Sequence, residues 1–231
     1  MDLIRRQSSV VPSIEIVSEY EEDTNKTEAA LTKIKSKPVG RQLLKEISDL
    51  SKNGRSISVN VSETFRSQSI PILTKSQLKK YGIEESYSTE SNIKAQQISA
   101  KKGFMRKGEG VSSIVDFDPS YFVKVTLSGH HQSEINEELA FTTLAHELIH
   151  SYRFLKGTSF NTSGGVESLE TKREERRVIG TGEFANAKIS ENAIRREHGL
   201  TERTKHQTEL SYEQERQIQD AYENSSRQRT I

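Results

Sequence analysis

The sequence predicts an α+β domain in which a small mixed sheet packs against two central helices. Two patterns lead to this prediction. Residues 57–61 alternate apolar and polar side chains, and residues 113–117 are mostly apolar, as in strands with a buried face. Residues 141–155 instead carry apolar side chains at spacings of three and four, which is typical of a helix packed on a core. No internal repeat is present, so one domain is expected.

Composition indicates a modest core with flexible ends. The chain has 231 residues, of which 32% are hydrophobic and 29% are charged. Residues 1–35 are rich in Ser, Thr, Glu and Lys, a composition that buries too little surface to offset the entropy of ordering. We therefore expect a flexible segment at 1–35, either an ordinary tail or an uncleaved export signal, then a folded domain at 36–210 and a polar tail at 211–231.

Charge and residue usage exclude several function classes. Lys and Arg number 34 against 33 Asp and Glu, so no strong field indicates a nucleic acid or an anionic membrane as partner. No stretch reaches the roughly 18 apolar residues of a membrane span, and the first residues lack the apolar core of a secretory signal peptide, so a soluble protein is expected. Because the chain has no Cys, a metal ion would need His and carboxylate ligands.

The remaining elements are predicted from local patterns. Residues 38–50, with Pro38 at the start and Gly54 after the end, predict a helix, whereas 63–102 predict no element. Strands are expected at 113–117 and 122–127, just before the long helix. The strand at 113–117 is a candidate for the sheet edge along which an extended substrate would bind.

The segment His146-Glu147-Leu148-Ile149-His150 is the strongest chemical signal. On a helix, residues four apart lie on one face, so His146 and His150 can offer two imidazole nitrogens to one zinc ion. Glu147 points about 100 degrees away, where it can act as a general base on a water molecule without binding the metal. The neighbouring apolar residues indicate a buried site. The segment therefore predicts a zinc-dependent peptidase.

Catalytic zinc normally has a third protein ligand, and spacing alone leaves several candidates open. His130 and His131 precede the helix in a predicted strand–helix loop. His198 and His206 lie downstream in charged sequence. Glu174 and Glu175 stand at the polar start of a second predicted helix, which continues into apolar residues.

Three segments resemble known families. HELIH followed by EERRVIG is similar to the corresponding pair in clostridial neurotoxin light chains, which are gluzincin-type zinc proteases. HELIHSYR, EERRVIG and ENAIRREHGL followed by RTKH resemble the NleD-like type III secreted effectors, peptidase family M91, over roughly residues 38–206. The resemblance implies a compact zincin domain whose second helix carries the third ligand.

Site roles follow from the same resemblance. It implies His146, His150 and Glu175 as ligands of one zinc ion per chain, with Glu147 as base, and leaves Glu174 to orient a ligating His. Arg203 matches an Arg that stabilises the oxyanion in the neurotoxin light chains. His206 stands where those proteins have a Tyr, so the resemblance leaves three roles open for it: an oxyanion donor, a zinc ligand, or none.

The resemblance also implies a biological role. NleD-like effectors are virulence proteins that a type III system secretes into the host cytosol. There they cleave stress-activated MAP kinases (JNK and p38 class) in the activation loop and suppress inflammatory signalling. We expect a monomeric endopeptidase with such a host protein substrate. The alternatives are a zincin toxin domain with another protein substrate and a zinc-stabilised binding module, although structural zinc sites are usually closed by four ligands and rich in Cys.

Overall fold

The computed structural model describes residues 3–62, 67–102, 106–126, 131–160 and 168–204. In chain order its elements are β1 Ile4–Gln7, β2 Ile14–Ser18, α1 Glu21–Lys35, α2 Pro38–Leu50, β3 Ile57–Val61, β4 Gln68–Ile72, α3 Lys75–Tyr81, α4 Thr89–Ser99, β5 Ser112–Phe117, β6 Tyr121–Val125, β7 His131–Ile135, α5 Phe141–Lys156, α6 Leu169–Ile179, a 3₁₀ turn Gly182–Phe184 and α7 Glu191–Glu197. Within these ranges, no helix has the length and apolar character needed to cross a membrane. The α+β class predicted from the sequence is confirmed.

A five-stranded mixed sheet forms the base of the domain, with the order β1-β2-β3-β5-β4. The three inner strands are parallel, and the two edge strands run antiparallel to their neighbours. The prediction that residues 113–117 form a sheet edge is wrong, because β5 pairs with β3 on one side and β4 on the other. The central position explains why successive residues of β5 are buried or half-buried, since an inner strand is covered on both faces.

The prediction that residues 1–35 are flexible is also wrong, because residues 3–35 form two strands and a helix. Ile14 and Ile16 of β2 are fully buried, and β2 pairs in parallel with β3. In α1 the buried apolar residues lie in the second half, where Leu31 and Ile34 have no exposed surface. Because the first half of α1 is polar, the average composition of residues 1–35 does not reveal these buried apolar residues. Residue 36 is therefore not a domain boundary.

One hydrophobic core extends through most of the described chain, from Val11 to Ile194. The helix predicted at 38–50 and the strand predicted at 57–61 are confirmed as α2 and β3. Residues 63–102, for which the sequence predicts no element, contribute β4, α3 and α4. These helices enclose a second, smaller core of Leu73, Ile83, Ala95, Ile98, Val111 and Phe154. The predicted tail at 211–231 lies outside the described residues.

The chain enters α5 from the hairpin formed by β6 and β7. Asn136 organises the connecting turn: its side-chain oxygen accepts from the Leu139 amide at 3.3 Å, and its carbonyl accepts from the Ala140 amide at 3.0 Å. α5 itself begins at Phe141 without a side-chain cap, and Gly157 ends it in the left-handed conformation, with φ of 68°. The hairpin and this turn therefore set the position of the helix that carries the peptidase motif.

Candidate active site

Helix α5 places His146 and His150 one turn apart on the same face. The helix is buried on nearly all sides, since its residues from Phe141 to Leu155 all fall in the interior. His146, Glu147 and His150 each retain only 7% of their exposed surface. The apolar packing fixes the helix against the core, so the two imidazoles occupy defined positions at the edge of that core.

Helix α6 brings Glu175 to the two imidazoles. The Ser168 side chain caps this helix by accepting from the Thr171 amide, and Gly180 ends it with φ of 84°. One carboxylate oxygen of Glu175 lies 3.4 Å from Nε2 of His146, and the other lies 3.3 Å from Nε2 of His150. Two consecutive helices therefore meet at this point.

The spacing of these three side chains fits a zinc ion. The two Nε2 atoms are 3.2 Å apart, so all three separations fall between 3.2 and 3.4 Å. Ligands about 2.0–2.1 Å from a tetrahedral zinc ion lie about 3.3 Å from one another. In the part of the chain that the structure describes, His146, His150 and Glu175 form a group able to hold a metal, and the donor set of two imidazoles and one carboxylate suits zinc.

The electrostatics of this group favour a bound cation. Burial alone would lower the pKa of His146, but hydrogen bonds to Glu175 and Glu191 raise it to about 9. Burial likewise opposes charge on His150, whose pKa is nevertheless raised by Glu175 and Glu174. Burial would raise the pKa of Glu175, yet the two imidazoles hold it well below its usual range. The carboxylates thus attract positive charge into the group, as a site for a divalent cation requires.

Glu191, on α7, fixes the ring of His146 from behind. Nδ1 of His146 lies 2.8 Å from one oxygen of the Glu191 carboxylate, which is only 1% exposed. If Nδ1 donates in this contact, the lone pair of Nε2 points toward Glu175 and His150. Arg195 donates to the other oxygen at 2.6 Å, and Arg203 donates to the same oxygen as His146 at 2.8 Å. Burial would raise the pKa of Glu191, but the two arginines hold it well below its usual range.

Glu174 occupies the comparable place beside His150. One of its oxygens is 3.8 Å from Nδ1 of that ring. Arg153 binds both oxygens of this carboxylate, at 2.5 and 2.8 Å, and the Phe160 amide donates to one of them at 2.8 Å. Against the effect of burial, Arg153 and His150 lower the pKa of Glu174 to about 2. Glu174 therefore lies beside a ligand candidate and not in the ligand group itself.

Arg203 is buried, at 6% exposure, and reaches the site through Glu191. Asn192 holds its backbone on both sides, because the Asn192 side chain accepts from the Arg203 amide and donates to the Arg203 carbonyl, both at 2.8 Å. His206 lies outside the described residues, as does His130. His131 belongs to β7 and not to the loop expected from the sequence, and the His198 ring packs on Phe141 with centroids 4.7 Å apart.

Sequence reasoning missed Glu191, Asn192 and Arg195 as parts of the site. All three lie in the segment ENAIRREHGL, which marks the effector resemblance but shows no metal-ligand spacing. A short charged helix is usually exposed, so the pattern alone predicts a solvated face. Glu191 and Arg195 stand four residues apart, as in an ion pair on one helix face, but the same spacing is common on exposed helices and does not indicate burial.

The comparison with known protein families can now be set beside this geometry. A family model named Peptidase_M91 and described as "Effector protein" matches residues 13–206, which is most of the chain. The chain belongs to the peptidase M91 family. The resemblance found in HELIHSYR and ENAIRREHGL is thereby confirmed, and the family is a peptidase family described as effector proteins. The match begins inside the segment that composition predicts to be flexible.

Similarity to individual proteins is more distant. A search of the curated proteins gives no match to this M91 chain. Among solved structures, it is similar to the catalytic domain of Clostridium botulinum neurotoxin serotype F, with a TM-score of 0.42 and 19% identity, over 69% of this chain and 41% of the toxin chain. It is also similar to the botulinum neurotoxin type G light chain, with a TM-score of 0.41 and 14% identity, over 92% and 63% of the two chains. The M91 chain thus spans less than two thirds of either toxin chain.

Proposed function

We propose that His146, His150 and Glu175 hold one zinc ion per chain and that Glu147 is the general base of peptide hydrolysis. The observation that carries this proposal is that the two Nε2 atoms lie 3.2 Å apart and that each lies 3.3–3.4 Å from one of the two Glu175 carboxylate oxygens. A zinc ion held there would supply a Lewis acid that polarises the scissile carbonyl and acidifies water. Glu147 accepts the proton of the attacking water and passes it to the leaving amine.

The supporting residues keep this arrangement ready for substrate. Glu191 and Glu174 hold the rings of His146 and His150 in orientations that direct Nε2 toward Glu175. We retain Arg203 as the candidate that stabilises the developing oxyanion, a role assigned by the sequence resemblance alone; its guanidinium contacts Glu191, on the Nδ1 side of His146. His206 keeps the same candidate role from the sequence. Within the described residues the ligand group has three members, which leaves a position open for substrate and favours a catalytic over a purely structural zinc site.

The protein substrate and its location are proposed from the effector family. We propose that a type III system delivers the protein to the host cytosol, where it acts as a monomer. Its proposed substrates are stress-activated MAP kinases of the JNK and p38 class, cut in the activation loop. A second candidate is another host protein, because an identical site would cleave it by the same chemistry.

Glu147→Ala tests the mechanism and the substrate together. We expect the variant to bind one zinc ion per chain, as measured by metal analysis, and to lose proteolysis of purified JNK- and p38-class kinases. The physical reason is that Glu147 moves protons but is not in the ligand group. Full activity of the variant would overturn the mechanism. Wild-type protein that leaves both kinases intact but cleaves other host proteins, as identified by mass spectrometry of new termini, would select the second candidate.

The free edge of the sheet suggests where an extended substrate pairs. In the sheet formed by the described residues, β4 is an edge strand and pairs with β5 on one side. The Ser113 amide of β5 donates to Ser56 on the β3 side, so its neighbours Ser112 and Ile114 face β4. By alternation, Ile70 faces β5, whereas the N–H and C=O of Ser69 point away from the sheet. Ser113 also contacts Ser151, which follows His150, so β4 passes close to the metal-binding helix.

Two proline substitutions distinguish substrate pairing along β4, which affects KM, from pairing within the sheet, which affects Tm. Ser69→Pro removes an outward N–H, so we expect KM to rise about fivefold with little change in kcat or Tm, the effect of losing one hydrogen bond of about 1 kcal/mol. Ile70→Pro is the matched control: it removes a ladder hydrogen bond, and Tm should fall by several degrees. An unchanged KM for Ser69→Pro would place the substrate elsewhere.

A further inference from the structure

Exposed cationic side chains lie on the two chain segments that meet at the ring of Phe160. Five cationic side chains contribute to this feature, and all five are exposed. They are Lys101, Lys102, Arg106, Arg173 and Arg176. These five residues and Phe160 form the basic surface.

Backbone hydrogen bonds bring the residues after α4 to the end of α5. The Lys101 amide donates to the Ser159 carbonyl at 2.9 Å, directly before Phe160. The Lys102 amide donates to the Arg106 carbonyl at 2.8 Å, which keeps these two residues adjacent. These contacts hold the backbone of this segment beside residue 159, and from there the Lys101 ammonium reaches the Phe160 ring.

The Phe160 ring joins this segment to α6. The guanidinium of Arg173 lies 4.4 Å from the ring centroid, and the ammonium of Lys101 lies 5.9 Å from it. Arg153, which also binds Glu174, lies 5.0 Å from the same centroid. Because guanidinium groups cover the ring, it is poorly placed to stack on a nucleobase. The ring instead holds cations from two chain segments at one place.

Charge on α6 is divided between its two sides. Glu174 and Glu175 face the histidines, whereas Arg173 and Arg176 leave about half of their side-chain surface exposed, at 53% and 45%. Glu183 lies near both arginines, at 3.7 and 3.3 Å, and partly offsets them. The whole chain is almost balanced, with 34 basic against 33 acidic residues, so this excess of positive charge is local.

The basic surface lies next to the metal-binding group. The Phe160 amide donates to Glu174, and the other oxygen of Glu174 is 3.8 Å from the His150 ring. Two contacts thus connect the surface to a candidate zinc ligand. The basic surface therefore lies on the α6 side of the ligand group, one carboxylate away from His150.

We propose that the basic surface binds an acidic segment of the polypeptide substrate and holds it while an adjacent bond is cleaved. This proposal rests on the proposed endopeptidase function and adds a chemical class of substrate to it. The arrangement favours acidic polypeptide over nucleic acid, because the surface offers separated point charges around a covered ring instead of open stacking platforms. Binding of this kind raises the local concentration of substrate and weakens as salt screens the charges.

Binding of labelled octaglutamate to the Glu147→Ala protein tests the proposal without any cleavage. The surface variant adds Lys101→Glu, Lys102→Glu and Arg106→Glu, which leave α6 and Phe160 intact. The control variant adds Lys37→Glu, Lys52→Glu and Lys79→Glu, which change the net charge equally at exposed positions that do not belong to the surface. Fluorescence anisotropy at low ionic strength should give a Kd at least about tenfold weaker for the surface variant and within about threefold for the control.

Two outcomes would overturn the proposal. Equal weakening in both variants would mean that octaglutamate senses only net charge. Tighter binding of a single-stranded RNA oligonucleotide, lost in the surface variant alone, would assign the surface to nucleic acid. Because these measurements need no catalysis, wild-type protein that fails to cleave any protein would overturn the proposed function separately and leave the binding result intact. Thermal denaturation confirms that both variants are folded.

Discussion

Helices α5 and α7 both serve the candidate zinc site, but they are stabilised in different ways. α5 has 16 residues, of which eight are apolar, and all eight are buried. α7 has seven residues, and two of its charged side chains, Glu191 and Arg195, are each only 1% exposed. The first helix carries two candidate ligands. The second carries none and instead supports one ligand from behind.

The difference shows that hydrophobic burial and polar contacts stabilise different parts of one site. A buried leucine such as Leu148 contributes about 1.5–3 kcal/mol through the hydrophobic effect, so α5 is fixed by its own apolar pattern. A helix as short as α7 is not stable by itself. It is held by polar contacts to distant segments, through Glu191 to His146, through Asn192 to Arg203, and through Glu197, whose carboxylate accepts from the Val39 and Gly40 amides at the start of α2.

The largest expected effect distinguishes a ligand from its supporting neighbour on α6. Glu175→Ala removes one of three donors and should weaken zinc binding more than about 100-fold, whereas Glu174→Ala should weaken it by about 10- to 100-fold, as for residues that orient a ligand. Titration against a zinc-selective chelator measures both constants. The opposite order would assign the third ligand to Glu174.

The second largest effect concerns Glu191 of α7, which holds the ring of His146. Glu191→Gln keeps the shape of the side chain but leaves Arg195 and Arg203 without a charged partner, so stability should fall by about 3 kcal/mol and zinc binding by about tenfold. Glu197→Gln is the matched control on the same helix. It weakens the cap on α2 by about 1 kcal/mol but should leave zinc affinity unchanged. Urea unfolding and chelator titration separate the two quantities, and equal zinc affinities for both variants would contradict the role of Glu191.

The same contrast explains what the sequence could predict. α5 was predictable because its apolar spacing and its two histidines coincide on one helix, and α2 and β3 were predictable from comparably regular patterns. Glu191 and Arg195 could not be recognised, because a Glu and an Arg four apart occur equally on solvated helices, and only the fold shows that they are buried. β2 and α1 were missed because a few buried apolar residues are diluted by polar neighbours. β4 was missed because it is short, polar at its start and contains Pro71, which suits an edge strand.

The smallest effect tests whether the buried Arg195 of α7 contributes more to stability than the exposed Arg196 of the same helix. Arg195 donates to Glu191 at 2.6 Å and to the Val123 carbonyl at 2.8 Å, so Arg195→Lys keeps the charge but loses one of two directed bonds, and stability should fall by about 1–2 kcal/mol. Its neighbour Arg196 forms a paired contact with Glu202 at 2.7 and 2.9 Å on the surface. Arg196→Lys should change stability by less than about 0.5 kcal/mol, because exposed ion pairs contribute little. Urea unfolding of the two variants makes the comparison, and similar losses would show that burial adds nothing to the Arg195 contacts.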